Sequence, residues 1–262
     1  MSGKRLLGKT ALVIGASEER GTGWGIATRF AAEGARTLVA ARRLDKLELL
    51  ADKIGGTAVA CDVADEASVL AMVDEIRSTV GSIDLLINSA GQPIPGDFEL
   101  ESAQIHETIA VDLVGTWNLL RHVPAVINDG GAIVGLTSMV ATHVMPGFTA
   151  YGAAKAASNA LLKSAAVSLA PRGIRVNGIL PGMIDTPKID SFRDISEVME
   201  VFVKEVPLRR IGTPEDMAAA AVWLCQDDCF CTGVLLNVDG GLHLRRTPYP
   251  EELPAAVFDD VR

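Results

Sequence analysis

Short apolar runs rich in β-forming residues alternate with helical patterns along the chain, and this alternation restricts the possible folds more than any other feature. Short apolar strands separated by helices pair in parallel, and the helices then cover both faces of the sheet. Right-handed crossovers favour a doubly wound α/β architecture. The pattern predicts strands over 10–14, 36–41, 58–62, 85–88, 132–136, 176–180 and 234–238, and helices over 25–33, 45–53 and 66–80.

The length and continuity of the chain indicate a single domain. The 262 residues are enough to bury a core, and they contain no linker and no internal repeat. We therefore expect residues 1–262 to form one domain. Residues 183–206 are less regular than the rest and are predicted to form a mobile flap. The tail over 242–262 contains three prolines and is expected to be irregular.

Composition argues against several classes of partner. The net charge of -9 disfavours nucleic acid, because its phosphates are bound by basic surfaces. No apolar stretch approaches the roughly 20 residues of a membrane span, and residues 1–9 lack the apolar segment of a signal peptide. We therefore expect a cytoplasmic protein without a membrane partner. Cys225, Cys229 and Cys231 are close together, but no second ligand pair follows them, so we expect reduced thiols and no metal.

A glycine-rich turn lies between the first predicted strand and the first predicted helix. Glycines permit a tight turn and let backbone N–H groups approach a diphosphate, and the helix directs its positive N-terminal end at that charge. We therefore predict a dinucleotide-binding turn. It is longer than the usual G-x-G-x-x-G spacing, so which N–H groups contact the phosphates stays open. The predicted contacts in this turn are Gly15, Ser17, Gly23, Gly25 and Ile26.

The end of the second predicted strand favours NADP(H), with NADPH preferred over NADH. An NAD-binding protein usually carries an acidic residue here, whereas this chain has Ala41 followed by Arg42 and Arg43. Arginine forms paired hydrogen bonds with phosphate, so both arginines are predicted to bind the 2′-phosphate of the cofactor. Arg20 is a candidate for a further positive charge. The alternative is that Arg42 and Arg43 are a solvated pair at the start of a helix.

Ser138, Tyr151 and Lys155 form the candidate catalytic set. Tyr151 and Lys155 are four residues apart and therefore lie on one face of a helix. A phenol has an ordinary pKa of about 10, and a neighbouring cation lowers that pKa because it favours the phenolate. We predict that Tyr151 exchanges a proton with a carbonyl or alcohol oxygen, assisted by Lys155, and that Ser138 hydrogen-bonds the same oxygen.

Further motifs occur in a fixed order along the chain. They are Asp62-Val63, Asn88-Ser89-Ala90-Gly91, Pro181-Gly182 with Thr186, and Val238-Asp239-Gly240-Gly241. Together with the serine, tyrosine and lysine, they resemble the short-chain dehydrogenase/reductase family over about residues 7–241. The resemblance implies a Rossmann-type sheet of about seven parallel strands, an oxidoreductase activity and a homotetramer. It also implies cofactor contacts from Asp62, Val63, Asn88, Ala90, Gly91, Tyr151, Lys155, Pro181, Gly182, Ile184 and Thr186.

Two features depart from the family pattern. Residues 15–27 are more similar to the turn of divergent enoyl-thioester reductases, but those enzymes space tyrosine and lysine more widely, whereas three residues separate them here. Asp112 occupies the position at which the family usually has an asparagine that helps hold a water near the lysine. If the backbone carbonyl of residue 112 holds that water, aspartate can serve, whereas if the side chain matters, the proton relay is altered. The alternative is that Asp112 is a helix residue without a catalytic part.

The segments that the resemblance places around the substrate are largely apolar. The candidate contacts besides Ser138 are Gln92, His143 and Met183, of which His143 is the polar group expected to recognise a substrate. We expect a small, neutral, fairly hydrophobic secondary alcohol or ketone. One alternative is reduction of a 3-oxoacyl thioester on acyl carrier protein, with Arg172 and Arg175 helping to dock the acidic carrier. Another is a catalytically silent NADP(H)-binding sensor.

Overall fold

The computed structural model describes residues 4–252, in which seven strands form one sheet. The strands are β1 (Thr10–Ile14), β2 (Arg36–Ala41), β3 (Thr57–Ala60), β4 (Ile83–Asn88), β5 (Ile127–Leu136), β6 (Arg175–Pro181) and β7 (Leu235–Val238). They are all parallel and lie in the order β3-β2-β1-β4-β5-β6-β7. The doubly wound α/β architecture predicted from the sequence is therefore confirmed.

Helices cover both faces of the sheet. Between residues 4 and 252 they are α1 (Thr22–Ala32), α2 (Leu44–Ile54), α3 (Glu66–Thr79), α4 (Ser102–Ile109), α5 (Gly115–His122), α6 (Thr149–Leu169), α7 (Asp190–Arg193), α8 (Ser196–Glu205) and α9 (Pro214–Cys225). α1, α2 and α9 share one buried apolar cluster with the sheet, and α3, α5 and α6 share the opposite one. None of the helices in this range combines the length and apolar character needed to cross a bilayer.

The first strand shows how the sheet is buried on both sides. Ala11 and Val13 point into the cluster beneath α1 and α9, whereas Leu12 and Ile14 point into the opposite cluster. All four side chains are buried, and burying a valine, leucine or isoleucine contributes about 1.5–3 kcal/mol to stability. Helices on both faces therefore explain why the strand is a continuous apolar run.

The strand order reverses between β1 and β4, which are neighbours in the sheet. Ligands of open α/β sheets bind at the carboxyl ends of the strands beside such a reversal. Gly15 follows β1 there with a φ of +80°, a conformation that favours glycine. A methyl group on Gly15 would lie 2.7 Å from the backbone nitrogen of Ala90, so the two strand ends approach closely because residue 15 is glycine.

The predicted flap over 183–206 is largely helical. It contains a 3₁₀ turn at Pro187–Ile189, followed by α7 and α8. The rings of Phe192 and Phe202 stack with their centroids 6.3 Å apart, so these two helices pack on each other. Both helices are too short to produce a clear helical periodicity, which is why the sequence indicated irregular structure here.

The described part of the predicted tail, residues 242–252, packs on its own chain. Leu242 is buried against Met139 and Val206. Thr247 donates a hydrogen bond of 3.0 Å to the carbonyl oxygen of Val144. This part of the tail therefore covers the loop that follows β5, and the remainder of the predicted tail, 253–262, lies outside the described residues.

Candidate active site

A cleft of about 480 Å³ lies beside the strand-order reversal. Its volume falls within the roughly 300–1,000 Å³ that is typical of small-molecule sites. Many of the predicted cofactor contacts line it, namely Gly15, Ser17, Gly23, Arg42, Arg43, Asp62, Val63, Ala90, Gly91 and Thr186. The cleft is also lined by residues that the sequence did not single out, among them Glu18, Gly21, Thr22 and Lys188.

The glycine-rich turn leads into α1 on one wall of the cleft. Gly21 precedes the helix without a side-chain cap, and the first turn of α1 contains no acidic residue, so its positive end is suited to an anion. A methyl group on Gly23 would clash with the carbonyl oxygen of Gly15, so glycine keeps this turn tight. The wall therefore fits the diphosphate of a dinucleotide. Gly25 instead packs on α9, because a methyl group there would lie 2.6 Å from Cβ of Pro214.

The two arginines after β2 differ in their partners. Arg43 forms an ion pair with Glu18 at 2.6 Å and donates a hydrogen bond to Oγ of Ser17 at 3.1 Å. Arg42 lines the cleft and has no ion-pair or side-chain hydrogen-bond partner within residues 4–252. Arg42 is therefore the better placed of the two to bind an additional phosphate group.

Arg20 connects the glycine-rich turn to the flap. Its backbone is left-handed, with a φ of +62°. Its guanidinium group binds the carboxylates of Asp190 at 3.0 Å and Asp185 at 3.3 Å. Arg193 also pairs with Asp190, at 2.8 Å. The sequence suggested a phosphate contact for Arg20, and the structure directs its charge to the flap carboxylates.

Other predicted cofactor contacts support the cleft without lining it: Ile26, Asn88, Pro181, Gly182 and Ile184. Ile26 is buried in the core. Asn88 holds the end of β4, because its Oδ1 accepts a hydrogen bond of 3.1 Å from the backbone nitrogen of Ala90. Residues 181–184 continue from β6 into a short bridge with Gly212.

The candidate catalytic side chains lie directly behind the cleft wall. α6 carries Tyr151 and Lys155 on one face, and the Lys155 ammonium lies 5.6 Å from the centroid of the Tyr151 ring. Oγ of Ser138 accepts a hydrogen bond of 3.3 Å from the backbone nitrogen of Val140, which fixes the loop after β5. A methyl group on Gly91 would lie 3.3 Å from Nζ of Lys155, so Lys155 borders the cleft at Gly91.

Asp112 forms a buried ion pair with Lys155. Its Oδ1 lies 2.8 Å from Nζ of Lys155, and the exposed fractions of the two side chains are 0% and 4%. Nζ of Lys155 also donates a hydrogen bond of 3.0 Å to the carbonyl oxygen of Leu136. Oδ2 of Asp112 accepts a hydrogen bond of 3.0 Å from the backbone nitrogen of Gln92. The carboxylate therefore links the lysine to the loop that lines the cleft.

The backbone around Asp112 forms a π-helical turn, Ala110–Val114, between α4 and α5. π-Turns of this kind often occur at functional sites. The carbonyl oxygen of Asp112 accepts hydrogen bonds from the hydroxyls of Ser158 at 2.6 Å and Thr116 at 2.8 Å. Both acceptor positions of this carbonyl are thus occupied by the protein, which favours a role for the side chain over one for the carbonyl.

The charges of this cluster oppose one another. Burial lowers the pKa of Lys155, but its interactions with Tyr151 and with the Asp112 carboxylate outweigh burial, and the pKa of Lys155 is raised. Burial raises the pKa of Tyr151, the charge of Lys155 lowers it, and the charge of Asp112 raises it, with a net increase. The sequence predicted a phenol pKa lowered by the lysine together with the positive nicotinamide ring of a bound cofactor. The structure adds burial and the carboxylate, which act in the other direction.

The predicted substrate contacts lie around two different loops. Gln92 lines the cleft, and Met183 is half-buried at the start of the flap. Nε2 of His143 is 2.8 Å from the carbonyl oxygen of His243, and its Nδ1 is 3.1 Å from Oγ of Thr142. Both ring nitrogens of His143 therefore have protein partners, and the histidine holds the tail in place.

The cysteines near β7 are free thiols. Burial raises the pKa of Cys225 to about 12, so this side chain stays protonated near neutral pH. No group of three or more histidine, cysteine, aspartate or glutamate side chains suited to a metal ion occurs within residues 4–252.

Comparison with known proteins gives matches along most of the chain. A family model described as enoyl-(acyl carrier protein) reductase matches residues 15–243. Oxidoreductase UcpA of Salmonella typhimurium is 40% identical over 255 residues, with 90% of this chain and 95% of the relative covered. The 7alpha-hydroxysteroid dehydrogenase of Escherichia coli is 34% identical over 245 residues, with 90% and 95% covered. A solved short-chain type dehydrogenase/reductase from Mycobacterium ulcerans is 30% identical, with a TM-score of 0.90 and 98% of each chain covered.

These similarities agree with the strand order, the position of the cleft and the tyrosine and lysine behind it. Members of this family generally bind NAD(P)(H) and act on small molecules. The family model covers most of the chain and the relatives share 30–40% of its residues. The chain therefore belongs to the short-chain dehydrogenase/reductase family and is an oxidoreductase.

Proposed function

We propose that this chain transfers a hydride between NADP(H) and a neutral, fairly hydrophobic secondary alcohol or ketone, with Ser138, Tyr151 and Lys155 as catalytic residues. The proposal rests above all on the position of Lys155 beside Tyr151 and directly behind Gly91, at the edge of the dinucleotide cleft. When bound, the nicotinamide ring supplies or accepts the hydride.

The side chains behind Gly91 handle the proton that accompanies the hydride. During reduction, Oη of Tyr151 donates a proton to the carbonyl oxygen, and during oxidation it accepts the proton of the alcohol hydroxyl. Ser138 donates a hydrogen bond to the same oxygen and orients it. The charge of Lys155 stabilises the phenolate form of Tyr151, while Asp112 offsets part of that charge.

The preference for NADPH over NADH is assigned to Arg42. This arginine lines the cleft at the end of β2 and has no carboxylate partner in the described part of the chain. A 2′-phosphate would supply the missing anion. Arg43 is proposed as a second contact that would first have to leave Glu18, its partner at 2.6 Å.

The proposed substrate class follows from the apolar loop after β5. Met139 is buried together with Val206 of the flap and Leu242 of the tail, so the residue after Ser138 has apolar surroundings. The name of one relative, 7alpha-hydroxysteroid dehydrogenase, describes oxidation of a secondary alcohol on a hydrophobic molecule. Both observations support a hydrophobic alcohol or ketone.

Reduction of the 3-oxo group of an acyl thioester is the second candidate. The description of the matching family model names an enoyl-(acyl carrier protein) reductase, which acts on a different bond but also on a carrier-bound substrate. The two arginines considered for docking such a carrier are already engaged. Arg172 pairs with Asp129 at 2.8 Å, and Arg175 donates a hydrogen bond of 2.6 Å to the carbonyl oxygen of Leu224. Arg175 is also the first residue of β6, so it lies at the amino-terminal end of the strand, whereas the cleft is at the carboxyl ends. These contacts favour the ketone over the thioester.

The test is a titration of the protein with NADPH and NADH, followed by oxidation of each cofactor with a panel of ketones and 3-oxoacyl thioesters. We expect tighter binding of NADPH and turnover of free ketones. Tyr151→Phe is expected to retain cofactor binding and to lose most turnover. Turnover of thioesters alone would support the second candidate, and binding without any turnover would support a silent sensor. Cytoplasmic location and a homotetramer stay predictions.

A further inference from the structure

A lysine of the flap reaches the cleft that the glycine-rich turn also lines. Lys188 lies in the 3₁₀ turn Pro187–Ile189 and lines the cleft. Its Nζ donates a hydrogen bond of 3.3 Å to the carbonyl oxygen of Gly91, which is 97 residues away in the chain. The lysine therefore spans the space between the flap and the end of β4.

The Lys188 ammonium has no carboxylate within ion-pair distance in the described residues, unlike its flap neighbour Arg193, which pairs with Asp190 at 2.8 Å. The Lys188 side chain is exposed within the open cleft. Desolvation by the surrounding atoms lowers its pKa, the like charge of Lys155 lowers it further, and the negative charges of Asp112 and Glu18 act in the opposite direction. An anion bound in the cleft would give this ammonium an opposite charge to pair with.

Lys188 lines the same cleft as Glu18, and its Nζ lies beside the carbonyl oxygen of Gly91. Glu18 belongs to the glycine-rich turn, whereas Lys155 and Asp112 lie behind Gly91 at the other end. A dinucleotide that extends from Arg42 toward Gly91 carries its 2′-phosphate near Arg42. The other anionic group of the dinucleotide is the diphosphate, which lies between the adenosine and the nicotinamide end.

We infer that Lys188 is a cofactor-binding cation of the flap, which binds the diphosphate of the dinucleotide together with the N-terminus of α1. This inference rests on the proposed function, in so far as the cleft must bind a dinucleotide. Lys188 then holds the diphosphate between a helix N-terminus and an ammonium group.

The test measures dissociation constants by calorimetry for three probes, NADPH, ADP-ribose and adenosine 2′-phosphate. ADP-ribose carries the diphosphate without the 2′-phosphate. Adenosine 2′-phosphate carries the 2′-phosphate without the diphosphate. The variants are Lys188→Met, Lys188→Arg and Arg42→Ala, with Lys163→Met, on the exposed face of α6, as a control of equal charge change.

Lys188→Met is expected to weaken NADPH and ADP-ribose about tenfold and to leave adenosine 2′-phosphate unchanged. Lys188→Arg is expected to restore most of the affinity, and Lys163→Met to change none of the three constants. Arg42→Ala should give the reverse pattern, with losses for NADPH and adenosine 2′-phosphate. The affinity of Lys188→Met for ADP-ribose should also depend less on salt.

An unchanged constant for ADP-ribose in Lys188→Met would overturn the inference. So would a variant whose cofactor constants are normal and whose KM rises for a carboxylate-bearing substrate alone, because Lys188 would then bind substrate. If the unaltered protein binds neither NADPH nor ADP-ribose, the proposed function itself fails. These results are therefore distinguishable.

Discussion

The carboxylate of Asp112 lies 2.8 Å from the ammonium of Lys155, and the two groups form a buried ion pair behind the cleft wall. The resemblance to the family leads one to expect a neutral asparagine at residue 112. A carboxylate in its place offsets the positive charge that would otherwise lower the pKa of Tyr151. The pKa of Tyr151 should therefore be higher in this chain than in a variant with asparagine at residue 112.

Replacing Asp112 with asparagine tests this electrostatic role. Asp112→Asn removes the negative charge and retains an amide oxygen that can accept the hydrogen bond from Gln92. We expect the pKa of Tyr151 to fall, so that the pH profile of kcat/KM for alcohol oxidation moves to lower pH, because the phenolate is the base. The profiles of both proteins should be recorded with one alcohol. A profile that stays in place would show that Asp112 does not set this pKa.

Removing the lysine should expose the cost of the remaining buried charge. Lys155→Met leaves the Asp112 carboxylate without its partner, which is expected to lower the free energy of unfolding by about 3–5 kcal/mol. Adding Asp112→Asn should recover much of that loss, since the second change removes the unpaired charge. Urea unfolding of the two single variants and the double variant measures the effect. Strictly additive losses would contradict a direct coupling of the two side chains.

The cofactor preference should depend on Arg42 more than on Arg43. Arg42→Ala is expected to weaken NADPH binding about tenfold to a hundredfold and to change NADH binding little, because its guanidinium is proposed to bind the 2′-phosphate alone. Arg43→Ala should have the smaller effect, since Arg43 is paired with Glu18. Calorimetric titration of each variant with both cofactors compares them. Equal losses of affinity for NADPH and NADH in Arg42→Ala would show that Arg42 does not bind the 2′-phosphate.

Acid stability should depend on Glu33. Hydrogen bonds from Arg5, with a further one from Arg29, lower the pKa of Glu33 to about 2. A lowered pKa stabilises the fold above the ordinary value of about 4.3, and this stabilisation is lost as the pH falls toward 2. Glu33→Gln is therefore expected to cost about 1–2 kcal/mol of unfolding free energy at pH 7, after allowance for solvent screening, and progressively less below pH 4. Urea unfolding of both proteins at pH 7 and at pH 3 measures the difference in their unfolding free energies. That difference should be larger at pH 7 than at pH 3.

The strands could be predicted because their burial is reflected in local composition. Buried on both sides, β1 and β2 appear as uninterrupted apolar runs, and their predicted bounds agree with the structure. β5 was predicted too short, from residue 132 instead of Ile127. Its first part contains exposed polar and glycine residues, 128–130, which give no apolar signal although they continue the strand.

Contacts between distant segments could not be predicted from any local pattern. Arg20 meets Asp190 across 170 residues, and the position of Lys188 two residues after Thr186 was the single hint that this lysine enters the cleft. The identity of Asp112 raised the question of its role. Ser158 donates a hydrogen bond to the carbonyl oxygen of Asp112, which favours a role for the Asp112 side chain over one for the carbonyl. This contact forms only where the π-helical turn and α6 pack together.

The ion pairs of Arg20 have a consequence for the rate at which a ligand leaves the cleft. Because Arg20 joins the glycine-rich turn to Asp185 and Asp190, the flap is held against the segment that is proposed to bind the cofactor diphosphate. These pairs are half-exposed, so dissolved salt screens them. We therefore expect a bound dinucleotide to dissociate faster as the ionic strength increases.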